Sequence, residues 1–191
     1  LRLRQLCCHP YLIEDSPNLE SSKYNLFKDM IEELFLNKEK VIVFNTFQRM
    51  TDLIIDDIKR TYDTHVNFID GRTDRRERQK IVDQFNKEEE PGALIMNPRA
   101  GGVGLNITGA SKVIHYNLEW NPAQEEQATR RAYRIGQKKN VYVYRLYYPR
   151  TVEEVILERL ERKKRLSENA ILPTPDDRDE IKDIYKVMKG F

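Results

Sequence analysis

The sequence is short of the residues that staple a chain or cradle a nucleotide. Its 191 residues include two cysteines, and these are neighbours, Cys7 and Cys8. Adjacent cysteines are poorly placed to bridge each other, so a disulfide framework within the chain is excluded. Free thiols point to a reducing, intracellular setting, cytoplasm or nucleoid in a bacterial or viral source and nucleus in a eukaryotic one. There are three histidines, His9, His65 and His115, too scattered for metal-ligand spacing, so no metal site is expected and "CCHP" reads as a buried turn. Charged residues make up 34% of the chain yet the net charge is only +2, so a global basic field is absent and any nucleic-acid contact must be local. No apolar run approaches the length that spans a bilayer, and the N-terminus has no signal-peptide pattern. Of two common nucleotide-binding fingerprints, G-x-x-x-x-G-K-[ST] is missing altogether. The dinucleotide form is broken, because Gly102-Val-Gly104 runs on into Leu105, Asn106 and Ile107.

What is present is a regular alternation. "KVIVFNTF" (40–47) has the β-branched, fully buried character of a parallel strand, "VNFID" (66–70), "ALIMN" (93–97) and "KVIHYN" (112–117) read as further strands, and "NVYVYRLYY" (140–148) follows the arginine segment. Helical spacing fills the intervals at 21–38, 48–62 and 74–88. Leu26, Met30, Ile31 and Leu34 form the first inward stripe, Met50, Leu53, Ile54 and Ile58 the second, and Ile81, Val82 and Phe85 the third. This cadence predicts an α/β fold with a mainly parallel sheet and helices on both faces. Ligands of such sheets gather beyond the carboxyl ends of the strands. At 151–166 a further helix is expected, opened by a capping box of Thr151 and Glu154, with Val155, Leu157 and Leu160 partly apolar. Residues 173–191 read as an appended amphipathic helix that packs on another module.

"QEEQATRRAYRIGQ" (124–137) poses the functional question. It reads as a helix begun at Pro122, with acids early and bases late. Arg130 has Glu126 one turn back, but Arg131 and Arg134 have no acid there, and Gln127, Arg131 and Arg134 share an i, i+4, i+7 stripe. Two cations on one face without local counter-charge suit an anion supplied from outside; a solvated charged face is the plain alternative. The glycines at 101, 102 and 104 directly follow a strand and let backbone N–H groups approach an oxyanion. Phosphate-seeking groups without a nucleotide cradle describe one side of a shared site.

The ordered segments "LRQLCCHP", "KVIVFNTFQRMTDLI", "IDGRTDRRERQKIVDQFN", "AGGVGLNITGASKVIHYNLEWNPAQEEQA", "RIGQ" and "VYRLYYPRTVEEVILERL" make the chain, from its start to about Leu166, closely resemble the second RecA-like lobe of Swi/Snf-type ATPases of helicase superfamily two. The resemblance implies a three-layer RecA-like lobe over 21–150, an inter-lobe linker remnant at 1–20 and a C-terminal helical extension at 151–191. It implies that Arg131 and Arg134 are catalytic, reaching ATP and Mg²⁺ held mainly by the first lobe, with Arg134 as the arginine finger. Gly102, Gly104, Asn106 and Gln127 would join them at the nucleotide. Contacts to the backbone of double-stranded DNA would come from Asn45, Thr46, Gly71, Arg72, Thr73, Asn97, Arg99, Ala100, Gly101, Thr108 and Trp120, with the C-terminal helices open to protein partners.

Three departures stand out. Arg130 replaces the family's aspartate, Tyr133 its histidine, and Asn97-Pro98-Arg99 its Ser-Thr-Lys, which at Pro98 removes a backbone donor. They support the competing expectation of a non-catalytic DNA- or protein-binding module. For Arg72, Arg75, Arg76 and Arg78 taken singly, a solvated helix face is expected, and for His115 a packed core position. The isolated lobe is expected to be inactive.

Overall fold

A computed structural model describes residues 2–13, 20–100 and 104–168. Helix α1 (Arg2–Cys8) and a single 3-10 turn (Pro10–Leu12) lead to α2 (Ser22–Leu36). The chain then alternates β1 (Lys40–Phe44), α3 (Gln48–Thr61), β2 (His65–Ile69), α4 (Arg75–Lys87) and β3 (Gly92–Met96). It continues through β4 (Lys112–His115), α5 (Pro122–Thr129), β5 (Tyr142–Arg145) and α6 (Val152–Glu168). The five strands form one parallel sheet in the order β2-β3-β1-β4-β5.

The alternation of each inner strand divides two cores. Val41, Val43, Ala93, Ile95 and Ile114 face α2 and α3, where they meet Phe27, Ile31, Met50 and Ile54. Ile42, Phe44, Leu94, Met96 and Val113 face the other way, against Val82, Phe85, Ala128 and Ala132. A strand buried on both faces needs apolar residues at every position, which is why "VIVF" (41–44) and "ALIM" (93–96) read as unbroken apolar runs. The three-layer α/β arrangement expected from the sequence is therefore observed.

A third cluster gathers Leu118, Val152, Ile156 and Leu160, with Cys7, Trp120 and Leu157 against it. Through it α6 and α1 pack on the exit of β4. Cys8 and Leu12 belong to the main core, and His9 caps the 3-10 turn by accepting from the Tyr11 N–H through Nδ1 at 3.1 Å. Within "CCHP", Cys7 and Cys8 end α1 and only His9 and Pro10 belong to the turn; Cys8 and His9 are buried, Cys7 and Pro10 half-buried.

Local readings need three corrections. Leu26 is 52% exposed; the inward face of α2 carries Lys23, Tyr24 and Phe27 instead. In α6 the deepest residue is Ile156. The capping box at Thr151 closes one residue early: Thr151 Oγ1 accepts from the Glu153 N–H, while the Glu154 carboxylate accepts from the Arg150 N–H. The helix proposed for 173–191 lies outside the described residues. No described helix is long and apolar enough to cross a membrane.

Candidate functional site

Helix α5 begins as its sequence demands. Asn121 Oδ1 accepts from the Ala123 N–H at 3.0 Å and Pro122 takes the first position, where its missing N–H costs nothing. Glu126 and Arg130 pair at 2.6 Å, as their spacing predicts. The helix then stops at Thr129, after eight residues, and the expectation of a helix through 137 is overturned. The cause is tertiary. The Arg131 carbonyl, which a longer helix would use internally, accepts from the Ile107 N–H at 2.9 Å, and the chain tightens through Arg131 N–H to Ala128 O and Ala132 N–H to Thr129 O. Gly136 then turns the chain with φ of +107°, a region most side chains avoid. Gln137 pins the end of the turn, its Nε2 donating to the carbonyls of Thr108 at 3.2 Å and Ala110 at 2.9 Å.

The i, i+4, i+7 stripe is therefore not helical, yet its three members still meet. Gln127, Arg131 and Arg134 line one open groove of about 870 Å³ together with Gly104, Leu105 and Tyr133. Arg134 is exposed; its Nη1 donates to the Gly104 carbonyl at 3.3 Å, and it meets no carboxylate among the described residues. Arg131 is 7% exposed, and its pKa is lowered first by burial and then by Arg134. Asn86 holds the segment beneath the groove by donating to the Asn106 carbonyl and accepting from the Gly109 N–H, both at 2.8 Å. The Asn106 residue itself is exposed, and Thr108 is half-buried beside Gly136. Gly101 and Gly102 lie outside the described residues.

The carboxyl rim collects the other expected residues at the ends of β1, β2, β3 and β4. Gly71 lies beside Gln48, joining the exits of β1 and β2. Most rim side chains are spent on one another. Asn45 Nδ2 donates to the Phe47 carbonyl and to Thr51 Oγ1. Thr73 Oγ1 accepts from the Asp70 N–H. Arg72 is forked between buried Asp70 and Asp52, with Nη2 at 2.7 and 2.8 Å, and its guanidinium lies 4.9 Å from the centre of the Phe68 ring. Pro98 and Arg99 are the central residues of a turn closed by the Ala100 N–H to the Asn97 carbonyl at 3.1 Å; Pro suits that first central position. The departure at Pro98 thus presets a turn.

Two rim residues escaped the sequence reading. Arg78, expected on a solvated face, donates to the carbonyls of Thr73, Asp70 and Ala100 and so ties the exits of β2 and β3. Glu119 is fully buried between Thr46 and Arg99. Neither has a local sequence signal, because every partner is distant in sequence or a backbone atom. Trp120 is half-buried against the third cluster, with Arg159 5.9 Å from its ring centre. His115 is a core residue: it stacks on Phe44, contacts Thr129 Oγ1 through Nε2 at 2.9 Å, and burial drives its pKa down to about 3.

Comparison with known proteins adds independent findings. The model of the helicase conserved C-terminal domain matches residues 22–136. The chain is 37% identical over 175 residues to an uncharacterized ATP-dependent helicase, MG018, of Mycoplasma genitalium, covering 90% of this chain and 17% of that protein. It is 36% identical over 177 residues to the lymphoid-specific helicase of Homo sapiens, covering 86% of this chain and 21% of that one. It is 34% identical over 183 residues to ISW2, the ISWI chromatin-remodeling complex ATPase of Saccharomyces cerevisiae, covering 90% and 16%. Among solved structures, the C-terminal part of the Fun30 ATPase domain superposes with a TM-score of 0.67 at 28% identity, over 83% of this chain and 53% of that one. The chain thus spans about a fifth or less of these three relatives' length.

Proposed function

This chain belongs to the family of helicase conserved C-terminal domains, in its Swi/Snf-type branch, and from that premise we propose that it is the second RecA-like lobe of an ATP-driven translocase on double-stranded DNA. In this reading residues 21–150 are the lobe, 1–20 the remnant of the inter-lobe linker, and 151–191 a helical extension. ATP and Mg²⁺ sit mainly on the first lobe. Closure of the two lobes brings Arg134 onto the γ-phosphoryl group, and hydrolysis reopens them, moving one lobe along the DNA backbone.

The supporting observation is Arg134 itself: a guanidinium at an open groove, beside Arg131 and Gln127, on a turn anchored by Gln137. Guanidinium stays charged and binds oxyanions in a planar fork, so it fits a triphosphate. Charge grows on the equatorial oxygens during phosphoryl transfer, and a preset cation stabilises it without reorganising. ATP when bound supplies the phosphoryl group. Arg131 and Arg134 orient and neutralise it, and Gln127 offers an amide to the same groove.

The test uses the polypeptide that carries both lobes. DNA-stimulated phosphate release is measured for Arg134→Ala alongside nucleotide binding. Loss of turnover with binding retained supports the finger role; full turnover in the variant rejects it. Wild-type protein that binds DNA but never hydrolyses ATP would instead favour a non-catalytic binding module.

A further inference from the structure

Thr46, Asn97, Arg99 and Glu119 close a ring across three strand exits. Thr46 Oγ1 donates to Glu119 Oε1 at 2.8 Å, and Arg99 Nη2 donates to Glu119 Oε2 at 3.1 Å. The Arg99 backbone N–H donates to Asn97 Oδ1 at 2.9 Å, and Asn97 Nδ2 returns to the Thr46 carbonyl at 3.1 Å. The Glu119 side chain is 0% exposed while that of Arg99 is 58% exposed. The ring is thus anchored at a buried acid and opens to solvent at a cation.

Chemistry decides what such a ring offers. A buried carboxylate is costly unless paired, so Glu119 holds firmly to the donors it has. A threonine hydroxyl carries one proton. Given to Glu119, that proton is withdrawn from any anion outside, and only lone pairs remain. The Thr46 backbone N–H is also taken, donating to Asn117 Oδ1 at 3.0 Å. The Asn97 amide is held at both ends, its Oδ1 accepting and one of its two Nδ2 protons donating, which leaves a single neutral amide proton beside Arg99. The Arg99 guanidinium has five N–H donors in a fixed plane, and its Nε and Nη1 make no hydrogen bond among the described residues.

We infer that Glu119 is the positioning residue of this part of the rim: its buried carboxylate aims Arg99 outward and withholds the Thr46 hydroxyl, so that the one cation of this ring, Arg99, is what meets a DNA phosphate here. The inference rests on the proposed function, in which this rim faces the DNA backbone. It goes further by ranking the rim residues: Thr46 and Asn97 act as supports, Arg99 as the contact, and Glu119 as the group that fixes its direction.

The experiment again uses the two-lobe protein. Equilibrium binding to a DNA duplex is followed against salt concentration, and DNA-stimulated turnover is measured at saturating duplex. Arg99→Gln is expected to weaken binding about tenfold, the size of one charge-assisted hydrogen bond, and to reduce the slope of log K against log salt by about 0.9, one phosphate contact. Thr46→Val removes the hydroxyl and is expected to leave affinity within about twofold. Glu119→Gln keeps an acceptor for Thr46 but loses the ion pair; turnover should fall about tenfold, and adding Arg99→Gln should cost nothing more. Affinity lost in Thr46→Val as fully as in Arg99→Gln overturns the inference, as do fully additive losses in the Glu119/Arg99 pair. Should Glu119→Gln fail to fold, the Thr46→Val and Arg99→Gln comparison still decides. If wild-type turnover is not stimulated by DNA at all, it is the DNA reading that fails, and this inference falls with it.

Discussion

Lys23 Nζ stands 2.5 Å from both carboxylate oxygens of Glu153, and neither side chain is more than 4% exposed. The pair fastens the start of α2 to the start of α6. Tyr148 completes the clasp: its hydroxyl accepts from the Lys23 N–H at 3.0 Å, and its own N–H donates to Glu153 at 2.9 Å. Removing one member strands a buried charge. Lys23→Met should therefore cost about 3–5 kcal/mol. The double variant Lys23→Met/Glu153→Gln, which keeps an acceptor for Tyr148, should recover most of that loss. Chemical denaturation of the three proteins checks this; equal instability of the single and double variants counts against the clasp.

Arg131 and Arg134 should separate stability from chemistry. Arg134 is exposed, so its replacement by alanine should change stability by no more than about 0.5 kcal/mol. Arg131 is nearly buried, and its replacement should cost about 1–3 kcal/mol as well as turnover. Loss of the finger in related systems costs about 10³-fold or more in rate. Thermal unfolding and single-turnover hydrolysis, run on the same two variants, measure the two effects apart.

Arg72 is expected at the DNA from its place in the sequence, yet it is clasped by Asp70 and Asp52. Its charge is already answered. Arg72→Gln should lower stability while leaving the salt dependence of duplex binding unchanged. A slope reduced by about 0.9 would show that Arg72 meets a phosphate after all.

His115 sets an acid limit. An unfolded histidine titrates near 6.5, whereas burial lowers this one to about 3. Between those values the unfolded chain binds the extra proton and the native chain does not, so stability falls as pH falls from 6.5 toward 3. His115→Gln, which retains a group able to bond Thr129, should flatten the stability profile by one proton across that window. Urea denaturation at steps from pH 4 to 7 reads the slope.

The alternation of strands and helices, the two-faced burial of the sheet and the cap at Asn121 follow from local properties: β-branched runs, helical periodicity and one polar side chain before a proline. All act within a few residues, so they are legible in the sequence. So is the Glu126–Arg130 pair. Lys23 at a core position reads as surface until Glu153, 130 residues away, supplies its counter-charge. Arg78 looks solvated for the same reason, since its partners are carbonyls of other loops.

The sequence by itself determined the fold class, because hydrophobic pattern needs no distant information, and it singled out Gln127, Arg131 and Arg134, which line one groove although the helix that grouped them ends at Thr129. Tertiary structure alone decided where α5 ends, since the Arg131 carbonyl is claimed by Ile107 across the fold. It also decided which rim donors remain available, because the buried Glu119 carboxylate accepts the hydrogen bond of the Thr46 hydroxyl and leaves Arg99 exposed. A hydrogen-bond donor has a fixed number of protons, and only the folded arrangement shows where each has gone.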